Sequence, residues 1–166
     1  MEGDRDFSGE YLNGRDFRGQ DLGGADFSGA SLVGARFSSA NLRDANFEDA
    51  DLYQCILDQT DLTGAVFRDA NLEFAVLGGA NATGANFEGA DLMRANLVGT
   101  NATGANFRDA DLYYSRPGNA NLSGADFRGA NLDRAIMRRA NLTGADLRDT
   151  DGTPNLDKAN LTGVTR

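Results

Sequence analysis

The chain of 166 residues contains no histidine, no tryptophan, two prolines and a single cysteine. Each scarcity closes a class of function. Without histidine there is no imidazole general base and no zinc site that uses one, and a lone thiol cannot build a thiolate cage. Cys55 has no partner within the chain, which excludes a disulfide framework. The longest apolar runs are a few residues, too short to span a bilayer. Sixteen lysines and arginines face 25 aspartates and glutamates, giving a formal charge of −9. That is the wrong sign for phosphate contact. Met1-Glu2-Gly3-Asp4-Arg5 lacks the basic and apolar regions of a secretory signal, so a cytoplasmic protein is expected. No cofactor, metal, membrane or direct nucleic-acid contact is expected.

What the sequence does have is a period of five. Of the 29 positions taken in steps of five from 7 to 147, 25 hold Phe or Leu; Ala82, Ala102, Pro117 and Met137 are the exceptions. Two residues before each, Ala fills 21 of 29 positions, and Asp or Asn mostly stands between, as in Ala25-Asp26-Phe27. Neither a helix at 3.6 nor a strand at 2 has this period. It fits a chain that turns a corner every five residues, with the large and the small residue pointing inward and three facing water. Gly and Asp/Asn suit the corners, because they accept turn dihedrals that β-branched residues resist.

The Ala-Asp/Asn-Leu/Phe-x-x pattern over residues 5 to 150 resembles the pentapeptide-repeat family. The resemblance implies an all-β fold, a right-handed quadrilateral β-helix with twenty residues per coil and about seven coils. It also implies a binding or structural role, not an enzymatic one. A twenty-residue coil has its own signature here. Phe7, Phe27, Phe47, Phe67, Phe87, Phe107 and Phe127 form one column, and Leu12, Leu32, Leu52, Leu72, Leu92, Leu112 and Leu132 another. A five-residue period alone would not sort Phe from Leu. Coils stacked at about 4.8 Å would make a rod of roughly 34 Å, filled by its own side chains. The chain is read as one unit over 1–166, with repeats over about 5–149 and an irregular turn and cap over 150–166. The pattern breaks at Ser115-Arg116-Pro117-Gly118, where Pro cannot donate a ladder hydrogen bond, and again across Asp151-Gly152-Thr153-Pro154.

Function must then lie on the walls. One carries Arg68, Glu88, Arg108, Arg128 and Arg148 beside Asp49, Asp69, Asp109 and Asp149, which reads as a salt-bridge ladder or a plain solvated face. A second repeats Asn-x-Thr, as in Asn81-Ala82-Thr83 and Asn101-Ala102-Thr103, explained by stacking alone; ordering of water, as on ice-binding solenoids, is the weaker reading. The third holds all four tyrosines, Tyr11, Tyr53, Tyr113 and Tyr114, with Phe74, Val33 and Met93. Tyr53, Phe74, Met93 and Tyr113 are expected to be exposed and to climb one wall, with Tyr114 beside them and Asp51, Glu73, Asp91, Asp111 and Asp133 at the margin. Such a stripe has the composition of a protein-binding surface. Alternatively, aromatics merely favour strands and cover their neighbours.

The Gly residues recur every five and lack a following helix or Lys, so they are not phosphate loops. Cys55 replaces an inward Ala and is expected to be buried and inert. The leading expectation is a non-enzymatic protein that presents rigid walls to an unidentified protein partner, with end-to-end or wall-to-wall self-association open. The alternative comes from the family resemblance: some members mimic acidic DNA, bind DNA gyrase and confer fluoroquinolone resistance. The interleaved basic residues weigh against it.

Overall fold

The computed structural model describes residues 5–166, and the absence of a signal pattern read from Met1–Asp4 lies outside them. Backbone bridges, all parallel, join one position of nearly every pentad to the one twenty residues on, as from Asn46 to Val66, Val66 to Asn86 and Asn86 to Asn106. A turn falls every five residues, and the described residues contain no helix. The chain is therefore a β-helix solenoid in which four corners separate a residue from its bridge partner.

The local cause can be followed through one pentad. Phe67 donates its N–H to the Asn86 carbonyl at 2.6 Å, and Asn86 donates back to Ala65 at 2.9 Å. The Ala70 N–H then closes the corner on the Phe67 carbonyl at 3.2 Å, with Asp69 between them at φ 56°. A four-residue turn with positive φ at its third residue favours Gly, Asn and Asp. The Asp or Asn that opens each pentad acts twice. Its side-chain oxygen accepts the N–H two residues on, as Asp51 does from Tyr53 at 3.2 Å, and it takes the amide of the next coil, as from Asn71 at 2.9 Å.

Inside, the Phe column stacks without interruption from Phe7 to Phe127. From Phe27 upward, centroids lie 4.9 Å apart and rings stay within 4° of parallel. Phe17 and Phe37 stack on the opposite side and meet this column edge-on. The Leu and Ala columns fill the remaining space, and every central residue from Leu12 to Met137 is buried.

Both interruptions are absorbed. Pro117 occupies a buried central position, and its missing N–H costs one ladder bond: the Arg116–Ile136 bridge is absent, although the Ile136 N–H still reaches the Ser115 carbonyl at 2.8 Å. At the second, the step shortens to nineteen, with Ile136 bridging Asn155, Asn141 bridging Asn160 and Asp146 bridging Thr165. Gly152 makes the shortening possible at φ 85°, where a Cβ would collide with the Asp133 backbone. Residues 155–165 thus continue the stack in a shifted register. Beneath them, Leu132, Leu147, Pro154 and Leu156 line an open hollow of about 340 Å³.

Candidate functional site

The wall centred on Leu52, Leu72, Leu92 and Leu112 presents two outward columns. One runs Val33, Tyr53, Glu73, Met93, Tyr113, Asp133; the corner column beside it runs Gly34, Gln54, Phe74, Arg94, Tyr114, Arg134. From Gly34 to Tyr114 each corner residue donates its N–H to the first column one coil on, as Phe74 does to Met93 at 3.0 Å and Arg94 to Tyr113 at 2.9 Å. Tyr53, Phe74, Met93 and Tyr113 are half-buried, and Tyr114 is exposed. The four residues therefore share a wall, but as a zigzag across two columns, with Glu73 between Tyr53 and Met93.

The rings pack on one another edge to face. Tyr53 and Phe74 lie 5.8 Å apart at 81°, and Tyr113 and Tyr114 lie 4.7 Å apart at 90°. Arginines cover the exposed faces of the corner rings: Arg94 stands 5.4 Å from the Phe74 centroid and Arg134 5.2 Å from that of Tyr114. The Arg134 guanidinium also donates to the Tyr114 hydroxyl. Tyr11 stands apart, 90% exposed on a residue that bridges Ser31 near the N-terminal end. The marginal acids are partly committed, since Asp91 and Asp111 each accept the N–H two residues on at 2.9 Å.

The other walls differ from expectation in their partners. Arg128 pairs with Asp126 at 2.5 Å and Arg148 with Asp146 at 2.6 Å, while Arg68 reaches Glu48. The corner aspartates that were to serve these arginines instead lean over glycines, Asp69 over Gly89 and Asp109 over Gly129. The Arg148 guanidinium and backbone N–H hold the Asp146 carboxyl down at about 2. On the Asn-x-Thr wall, Thr103 donates to Asn101 at 2.8 Å and accepts from Asn121 at 2.9 Å, so these hydroxyls are engaged within the wall. Cys55 is fully buried and donates to the Leu32 carbonyl at 2.9 Å; burial pushes its thiol up to about 12.

The pentapeptide-repeats family model matches residues 12–49, 45–81, 70–109 and 118–151. The chain belongs to the pentapeptide-repeat family. No curated protein matches it. Among solved structures, this pentapeptide-repeat chain is similar to QnrB1, a plasmid-mediated fluoroquinolone resistance protein, at 26% identity over 98% of this chain and 85% of that one, with a TM-score of 0.53. It is also similar to HetL of the cyanobacterium Nostoc sp., a pentapeptide repeat protein involved in heterocyst differentiation regulation (29% identity, 98% and 90% coverage, TM-score 0.34). A pentapeptide repeat protein of the Arabidopsis thaliana thylakoid lumen matches at 34% identity over 74% and 71%, with a TM-score of 0.31. Among the described residues, no helix is long and apolar enough to cross a membrane.

Arg94 and Arg134 belong to the aromatic wall and were not singled out from the sequence. Their signal was present, since each lies twenty residues from a ring of the same column.

Proposed function

We propose that this chain is a non-enzymatic interaction protein whose aromatic wall, with Tyr53, Phe74, Met93, Tyr113 and Tyr114, docks a protein partner. The carrying observation is the pairing of half-exposed rings outside a core already filled by Phe, Leu and Ala. Clustered aromatics that stay accessible are the usual anchors of protein recognition. With it we propose a right-handed coil of about seven turns, as the family resemblance implies. The test is capture of partners by the intact chain and by a Tyr53→Ser/Phe74→Ser/Tyr113→Ser variant of equal thermal stability. Loss of specific partners from the variant is the expected result; an unchanged set would refute the reading.

A second reading, a DNA mimic that binds gyrase, is favoured by the likeness to QnrB1. Against it stand the ion pairs of Arg18, Arg43, Arg68, Arg128 and Arg148, which break the negative surface that a duplex would show. A supercoiling assay discriminates the two. Salt-sensitive inhibition at micromolar protein would promote the mimic.

A further inference from the structure

Arginines gather beside aromatic rings at the corner next to Pro117. Phe74, Arg94, Tyr113, Tyr114, Arg116 and Ile136 line an open groove of about 530 Å³. Arg134 lies over the Tyr114 ring, with Asp133 at 3.7 Å. No described carboxylate lies within ion-pair distance of Arg94 or Arg116. What sets these two arginines apart is their place, since both line a groove walled by Phe74, Tyr113 and Tyr114.

We infer that this groove takes an acidic peptide segment of a protein partner, its carboxylates meeting Arg94, Arg116 and Arg134 and an apolar side chain seated against Ile136. The inference rests on the aromatic wall being the docking face. Arg94, over the Phe74 ring and with no carboxylate beside it, keeps N–H groups to fork onto a carboxylate of the ligand. Arg94 and Arg134 stand two coils apart, about 10 Å, which matches carboxylates three residues apart on an extended polyproline-type peptide. The backbone beside the groove is locally unpaired. Because Pro117 has no N–H, the Ile136 carbonyl receives no ladder bond, whereas one coil away Arg116 receives one from Leu97 at 3.2 Å.

The same geometry disfavours single-stranded nucleic acid. Bases need open ring faces to stack upon, and here the faces of Phe74 and Tyr114 are taken by Arg94 and Arg134. The net charge of −9 also repels a polyphosphate.

The experiment measures fluorescence anisotropy of a labelled Ser-Glu-Pro-Leu-Glu-Ser peptide with the full chain. Its Gln-for-Glu counterpart and labelled oligo(dT) serve as comparisons. We expect the Gln peptide to bind at least about tenfold more weakly, with the difference shrinking as salt rises. The Arg94→Gln/Arg134→Gln variant should erase that difference and keep its thermal unfolding midpoint, because Gln54 already occupies the same column at φ 57°. Equal binding of the Glu and Gln peptides, or tighter binding of oligo(dT), overturns the inference. If both peptides bind equally and Phe74→Ser/Tyr113→Ser abolishes both, the docking face stands and its acidic ligand falls. If neither peptide binds, the inference falls, and the capture experiment alone decides the wall.

Discussion

Phe67 stacks on Phe87 with ring centroids 4.9 Å apart and planes 4° from parallel, while its neighbour Arg68 points outward to Glu48. Adjacent residues thus belong to different energetic worlds. Phe67→Ala should cost about 3–5 kcal/mol, the range for truncating a buried Phe. Arg68→Ala removes a half-exposed ion pair and should cost under about 1 kcal/mol. Urea unfolding of both variants measures the difference, and equal midpoints would contradict the inward and outward assignment.

Ser115 fills an inward position that elsewhere holds Ala, and its hydroxyl is fully buried with no hydrogen-bond partner among the described residues. Thr100, in the equivalent place, donates to the Leu77 carbonyl at 2.8 Å. An unmet buried hydroxyl carries a desolvation cost, so Ser115→Ala should stabilise the protein by about 1 kcal/mol. Thr100→Ala should not. Thermal or urea unfolding that finds Ser115→Ala destabilised would show that the hydroxyl has a partner.

The Cys55 thiol, pushed up to about 12 by burial, has almost no thiolate at pH 8. An aromatic disulfide reagent should therefore modify the native protein only as fast as the coil opens. Rapid labelling without urea would place the thiol at the surface.

Asp146 provides a pH signature. Its carboxyl, held at about 2 in the folded chain against an ordinary 3.8, binds its proton less readily folded than unfolded. The ionised form then adds stability that is complete above about pH 4 and lost as pH falls through about 2. Asp146→Asn should be the less stable protein at pH 6 and match the parent near pH 2. A gap that widens on acidification would reverse the sign. The partner Arg148 is half-exposed, so solvent screening keeps the effect small.

The stacked core was legible because it repeats: Phe above Phe and Leu above Leu every twenty residues disclosed both the coil length and the inward faces. The aromatic wall was legible for the same reason, since numbers modulo twenty brought Tyr53, Phe74, Met93 and Tyr113 together. Side-chain partners were less so. Which carboxylate Arg128 takes depends on the reach of a flexible chain, and Asp126, in the bridge position two residues back, wins over the corner aspartates. The covering of Phe74 and Tyr114 by arginines follows from the corner column, whose separateness from its neighbour appears only once the backbone is folded. The bare Ile136 carbonyl was within reach, because it lies nineteen residues after the Pro that cannot donate to it.

The corner column from Gly34 to Arg134 bears glycine, glutamine, phenylalanine, arginine and tyrosine on one repeating backbone conformation, all at φ between 55° and 65°. The scaffold is indifferent to what it displays there. A wall of this kind works as a rack of interchangeable slots, each addressed by its height along the axis. Recognition can then be rewritten one coil at a time, with the core untouched.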